Sequence, residues 1–305
     1  MVDLSVQIGS LQLKNPIMTA SGTFGYGTEY MQYFDVNKLG GIITKTVTLE
    51  ERPGNPLPRI AETTAGMLNS IGLANVGMER FIKEKLPELE SLNTAVIVNI
   101  AGNTIDEYQE TAARIQKHKR VDAIEVNVSC PNVERGGLAF GSDAAITNRV
   151  TQKIRTETEK VIIVKLTPNV TDICSIARAA ADGGADAVSL INTVLGMGID
   201  VKTRKPLIGR VVGGLSGPAI KPIALARVFQ VSQAVSIPVI GLGGIMNGLD
   251  AAEFMMAGAA AVQVGTLNFI DPAGALRVVN ELKSYCEKNQ IENVSTLTGS
   301  MEKPT

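Results

Sequence analysis

The sequence predicts an α/β fold, a (β/α)8 TIM barrel with inserted loops over its C-terminal face. Three observations lead there. Eight short apolar, β-branched runs alternate with longer stretches of helical period along 305 residues. The runs are continuously apolar rather than alternating, which suits parallel strands buried on both faces. The chain is long enough for one such barrel, which takes roughly 250 residues, and no linker or composition shift divides it. That many units in one chain favour a closed barrel over an open doubly wound sheet. Residues 1–305 are therefore read as a single domain, with 290–305 as a polar, frayed tail.

The first two strand runs are Pro16–Ala20 and Gly41–Lys45, and the third and fourth are Ala95–Ile100 and Ala123–Val128. Between the latter two, Asn103–Lys119 carries Ile105, Ala112, Ala113 and Ile115 at helical spacing. A helix over Asp143–Thr156 opens on an N-cap aspartate. The fifth run, Val161–Leu166, leads to a helix over Asp172–Asp182 that stops at Gly183–Gly184. After the sixth run, Ala187–Ile191, the helix Pro218–Ala234 opens with proline behind Ser216–Gly217. The seventh run, Pro238–Leu242, precedes a helix over Leu249–Ala257 that ends at Gly258. The eighth run, Ala261–Val264, is followed by the helix Pro272–Lys288. Three connections exceed ordinary length and are read as functional loops: Thr46–Leu86, the glycine-bearing lid Pro131–Ser142, and Asn192–Ser216. All three follow strands, so all three converge on one face.

Composition excludes several classes. With 29 basic and 30 acidic residues, the net charge of −1 creates no field that would gather nucleic acid or anionic lipid. The N-terminus MVDLSVQIGSLQLKNPI lacks an apolar signal core, and no apolar run reaches the roughly 18 residues that cross a bilayer. A cytoplasmic protein without nucleic-acid or membrane partners is expected. The three cysteines are far apart, with no CxxC or Cys/His cluster, so no metal site is expected. Cys174 and Cys286 read as small buried residues within helices. The lone His118, in QKHKR, reads as a solvated helix-end residue.

The strand ends hold the chemistry. In order they carry Ser21, Lys45 and Thr46, Asn99, Asn127 with Ser129 and Cys130, Lys165 and Thr167, Asn192 and Thr193, Gly243 and Gly244, Gly265 and Thr266. Asparagine is disfavoured in strands and lysine is rarely buried unpaired, so this set exceeds what solvation requires. Amides match the carbonyl and imide edges of a planar ring. Lysines supply charge for an anionic group or for charge that develops in reaction. Glycines after the last two strands let backbone amides approach a phosphate, which sits at that position in many such barrels. The reading is a phosphorylated heteroaromatic cofactor with substrate near Cys130. Pro131 ends the strand and places that thiol on a turn. With no histidine nearby, Cys130 suits a general base, its ordinary pKa being about 8.5.

NVSCPNV at Asn127–Val133 resembles the signature of the class 1 dihydroorotate dehydrogenases. ASGTFGYG (Ala20–Gly27), KT (Lys45–Thr46), NSIGLAN (Asn69–Asn75), VNIAG (Val98–Gly102), VKLTPNV (Val164–Val170), INT (Ile191–Thr193), LSGPAIKP (Leu215–Pro222), GLGGI (Gly241–Ile245) and VGT (Val264–Thr266) resemble that family in order. ASGTFGYG and the length resemble its type B branch. The resemblance implies oxidation of (S)-dihydroorotate to orotate in pyrimidine biosynthesis, with one FMN per chain. Cys130 would take the C5 proton while the C6 hydride goes to FMN. It also implies a partner subunit carrying FAD and a 2Fe–2S cluster, NAD+ as final acceptor, and a catalytic homodimer within a heterotetramer.

By the same resemblance, Lys45, Asn69, Ser70, Ile71, Gly72, Leu73, Asn127, Asn192 and Thr193 form the orotate pocket, which Asn132 joins. Ser21, Lys45, Thr46, Asn99, Asn127, Lys165, Ile191, Gly217, Gly243, Gly244, Gly265 and Thr266 contact FMN, with Lys165 beside the flavin ring. Residue chemistry alone leaves the acceptor open, since a type A homodimer would use fumarate in the same site. A flavin-dependent tRNA dihydrouridine synthase is the rival enzyme, and it calls for a basic face that the neutral charge balance disfavours. A non-catalytic scaffold or ligand sensor would not need polar residues at almost every strand end.

Overall fold

The computed structural model describes residues 2–129 and 140–302. Its centre is a closed barrel of β1 (Ile17–Thr19), β2 (Gly41–Ile43), β3 (Ala95–Ile100), β4 (Ala123–Asn127), β5 (Val161–Lys165), β6 (Ala187–Leu190), β7 (Val239–Leu242) and β8 (Ala261–Val264). Spatial order follows chain order, and every neighbouring pair is parallel. All residues of β4 and β5 are buried, which explains why these runs read as unbroken apolar stretches.

The helices that follow are α1 (Ile105–Gln116), α2 (Ala144–Arg155), α3 (Ile173–Asp182), α4 (Lys221–Ser232), α5 (Gly248–Met256) and α6 (Gly274–Lys288). Side-chain caps start four of them. Thr104 accepts from the Glu107 amide, Asp143 from Ile146, Asp172 from Cys174 and Ser175, and Asn247 from Asp250. Each such cap contributes about 1 kcal/mol and fixes where the chain leaves its loop.

Two of the long connections meet in a way that was not expected. Segments Ile60–Thr63 and Gly66–Asn69 of the first pair with Gly213–Ser216 and Val194–Gly196 of the third, forming a four-stranded antiparallel sheet. In register, Gly214 faces Asn69 and Leu215 faces Leu68. These strands are only three or four residues long, glycine-rich and mostly half exposed, so they lack the apolar alternation that marks a strand in sequence. Of the lid Pro131–Ser142, residues 131–139 lie outside the described residues, and Phe140–Ser142 forms a turn leading into α2.

The opposite end of the barrel is closed by an N-terminal hairpin, Val6–Ile8 with Leu11–Leu13. Its turn at Gly9 lies against Val161 and Asp186, at the starts of β5 and β6. The tail expected to fray after Asn289 is instead tied down as far as Met301, whose amide donates to the Met256 carbonyl. The Asp3 amide donates to the Glu292 carbonyl and the Val294 amide to the Asp3 carbonyl, while Val294 and Leu297 are buried. Ile291 packs beside them, and the Thr298 hydroxyl and Gly299 amide donate to the Ala259 and Met255 carbonyls. Among the described residues no helix is long and apolar enough to cross a membrane.

Candidate active site

A cavity of about 900 Å³ lies over the C-terminal ends of the strands, with the four-stranded sheet as one wall. Ser21, Lys45, Thr46, Asn69, Ile71, Leu73, Asn99, Asn127, Lys165, Ile191, Asn192, Thr193, Gly217, Gly243, Gly244, Gly265 and Thr266 all line it. Ser70 and Gly72 do not reach its wall. The Ser70 hydroxyl accepts from Asn55 Nδ2, and Gly72 turns the chain at a φ of 72° with its α-carbon packed on Asn55. They lie in the loop that carries Asn69, Ile71 and Leu73. Cys130 and Asn132 lie outside the described residues.

The floor is a connected polar network. Thr46 Oγ1 donates to Asn99 Oδ1 at 2.7 Å, and Asn99 Nδ2 donates to Glu125 Oε2 at 2.6 Å. Ser189 Oγ and Gln263 Nε2 donate to Glu125 Oε1 at 2.9 and 2.6 Å. Lys165 Nζ stands 3.7 Å from Glu125 Oε2. Register produces this meeting: Asn99 pairs with Glu125 across β3 and β4, and Lys165 with Ser189 across β5 and β6. Lys165 is 5% exposed and Glu125 fully buried, a depth at which a charge needs a partner. Glu125, Ser189 and Gln263 escape a reading confined to strand ends. Their signal in the sequence is a charged, hydroxyl or amide residue within an otherwise apolar strand run, AIEVN, AVSL and AVQV.

One wall is built of amides. The Ser129 amide donates to Asn127 Oδ1 at 3.1 Å, which commits that oxygen and leaves the Asn127 Nδ2 group as a donor. The Tyr108 hydroxyl holds the Asn127 carbonyl at 2.7 Å from behind. Asn192 Nδ2 donates to Ser129 Oγ at 2.9 Å, and its Oδ1 accepts from the Thr193 amide at 2.8 Å. Lys45 also lines the cavity, and among the described residues its ammonium has no acidic partner.

The far side is a glycine cradle. Gly217, Gly243 and Gly244 have φ values of 94°, 126° and 82°, which L side chains rarely adopt. At Gly244 a β-carbon would sit 2.9 Å from the Gly217 carbonyl oxygen and 2.8 Å from Lys221 Cβ. Lys221 is held by Asp250 and Glu253 at 2.6 and 2.9 Å, which fixes the start of α4 beside the cradle.

These residues fit a ring bearing both N–H and C=O groups with an anionic tail. The floor presents hydroxyl, amide and ammonium groups together, and the cradle gives close backbone approach. Gln263 lines the same cavity, and among the described residues its buried Oε1 has no hydrogen-bond partner, as suits an acceptor for a ring N–H. Among the described residues no cluster of His, Cys, Asp and Glu is arranged to hold a metal ion.

Comparison with known proteins agrees with this geometry. The sequence model of the family described as dihydroorotate dehydrogenase matches residues 3–286. A protein from Geobacter metallireducens named dihydroorotate dehydrogenase B (NAD(+)), catalytic subunit, is 55% identical over 300 residues, covering 98% of both chains. A protein of the same name from Bacteroides thetaiotaomicron is 53% identical over 302 residues, covering 99% of this chain and 100% of its own. The crystal structure of DHODH from Eimeria tenella, in complex with ferulenol, superposes with a TM-score of 0.81 at 25% identity, covering 99% of this chain and 89% of that one. Barrel, cavity and sequence likeness agree, and the chain belongs to the dihydroorotate dehydrogenase family.

Proposed function

We propose that this chain is the catalytic subunit of a B-type dihydroorotate dehydrogenase, oxidising (S)-dihydroorotate to orotate with bound FMN. Electrons leave through a partner subunit carrying FAD and a 2Fe–2S cluster and reach NAD+. The observation that carries this reading is the pair of lysines in one cavity. Lys165 is paired with a buried acid at the floor, and Lys45, in the wall, has no acidic partner among the described residues. FMN, when bound, supplies the hydride acceptor.

The protein's part is binding, orientation and proton transfer. Ser21, Thr46, Asn99 and Lys165 hold the polar edge of the ring, with Ile191 against it. Gly217, Gly243, Gly244, Gly265 and Thr266 take the phosphate with backbone amides. Lys45 meets the substrate carboxylate, and Asn69, Asn127, Asn192 and Thr193 read its ring. Ile71 and Leu73 cover that ring and exclude water. Cys130 accepts the C5 proton, and Asn132 joins the pocket beside it. The chain acts as one barrel unit, paired with a second copy within the complex.

The test is anaerobic mixing of the purified chain with dihydroorotate while flavin absorbance is followed. Bleaching is expected, with slow recovery on adding either NAD+ or fumarate alone. Rapid recovery with fumarate would make it a type A enzyme. A yellow protein that does not bleach would overturn the substrate, and a colourless one would overturn the cofactor.

A further inference from the structure

Glu125 is the group in this molecule that calls most for an explanation. It is fully buried in the barrel, does not line the cavity, and yet touches three residues that do: Asn99, Gln263 and Lys165. Burying a carboxylate is costly unless it is paired and hydrogen-bonded, and an apolar side chain would fill the same space in a barrel interior. Asn99, Ser189 and Gln263 all point N–H or O–H groups at its two oxygens. Holding Asn99 Nδ2 also turns Asn99 Oδ1 toward the Thr46 hydroxyl. Holding Gln263 Nε2 turns its oxygen, the unpartnered acceptor, away from the acid.

The two cavity lysines therefore differ. Lys45 has no acidic partner among the described residues, so its charge is available to a standing anion such as a substrate carboxylate. Lys165 stands 3.7 Å from Glu125 Oε2, so part of its charge is already answered. We propose that Glu125 is a positioning residue for the cofactor. Its carboxylate fixes Asn99, Gln263 and Lys165 at the cavity floor and offsets the lysine charge, which sets how readily the bound flavin accepts electrons. This inference rests on the flavin reading above.

The decisive variant is Glu125→Gln in the FMN-loaded protein, followed by its flavin midpoint potential in a dye-equilibration titration. Glutamine keeps the side-chain volume and one oxygen for the surrounding donors, and removes one negative charge. The charge beside Lys165 then goes unanswered. Reduced flavin is expected to bind at least tenfold more favourably relative to oxidised flavin, raising the two-electron midpoint by about 30 mV. Glu125→Asp keeps the charge but withdraws it from Asn99, so it should shift the potential in the same direction by less. Orotate affinity, read from the flavin spectrum, should change little in either variant, because Lys45 and the amide wall are untouched.

An unchanged or lowered potential in either variant overturns the proposal. Equal shifts in both would make the effect one of packing rather than charge, and would also overturn it. If neither variant accumulates as folded yellow protein, Glu125 is a residue of the fold and the proposal falls. A colourless parent protein would instead sink the flavin reading itself, so the two failures are distinguishable.

Discussion

Lys45 and Glu125 mark what single residues in this chain gave away and what they hid. Polar side chains at strand ends stand out against apolar runs, so Lys45, Asn99, Asn127, Lys165 and Asn192 were legible, and all line one cavity. Glu125 was not, because one acid inside a run reads as noise until register sets Asn99, Lys165, Ser189 and Gln263 around it. Ser70 and Gly72 came in with the NSIGLAN motif, but alternation along the chain turns them from the cavity wall. Lys45 yields a direct prediction. A hydrogen bond to a charged group is worth about 1.5–3 kcal/mol, so Lys45→Met should weaken orotate binding roughly tenfold to a hundredfold, measured by flavin spectral titration. The helical cysteines make a second. Burial pushes the Cys286 thiol above its ordinary range and leaves less reactive thiolate at any given pH. Brief alkylation of native protein at pH 8, read by peptide mass, should therefore label the partly exposed Cys174 well before the buried Cys286.

Among the elements, helices were the easiest to place, because capping side chains announce where they begin: Asp143 and Asp172 start α2 and α3 as the sequence indicated. The four-stranded sheet stayed hidden because each of its strands is half exposed and its pairing joins segments more than a hundred residues apart. The cradle after β7 and β8 was legible as glycines but not as geometry, and two substitutions separate these aspects. Gly244→Ala places a side chain at left-handed φ, costing roughly 1–2 kcal/mol, and drives it against the Gly217 carbonyl. Both melting temperature and FMN content should fall. Gly265→Ala meets nothing closer than Ala20 Cβ at 3.5 Å, so the folded chain accommodates it. Its melting temperature in the absence of added flavin should stay near the parent's while FMN affinity drops. Loss of FMN from neither variant would remove the glycines from the cofactor site.

At the scale of the whole molecule, strand count and continuous apolar runs were enough to anticipate a closed barrel. The C-terminal tail was not legible as anchored, because it is polar apart from a few residues. Burying Val294 and Leu297 is worth about 1.5–3 kcal/mol each. A chain stopped at Asn289 should therefore melt lower by on the order of 10 °C, and unchanged melting would show that the tail contributes nothing. The sheet that spans two connections bears on how the protein is made. Its Gly66–Asn69 strand leaves the ribosome early, yet its partner, Gly213–Ser216, is about 150 residues behind. At roughly 5–20 residues per second, that wall of the pocket stays open for many seconds of synthesis. A nascent chain cannot enclose its ligands until more than two thirds of it has been translated.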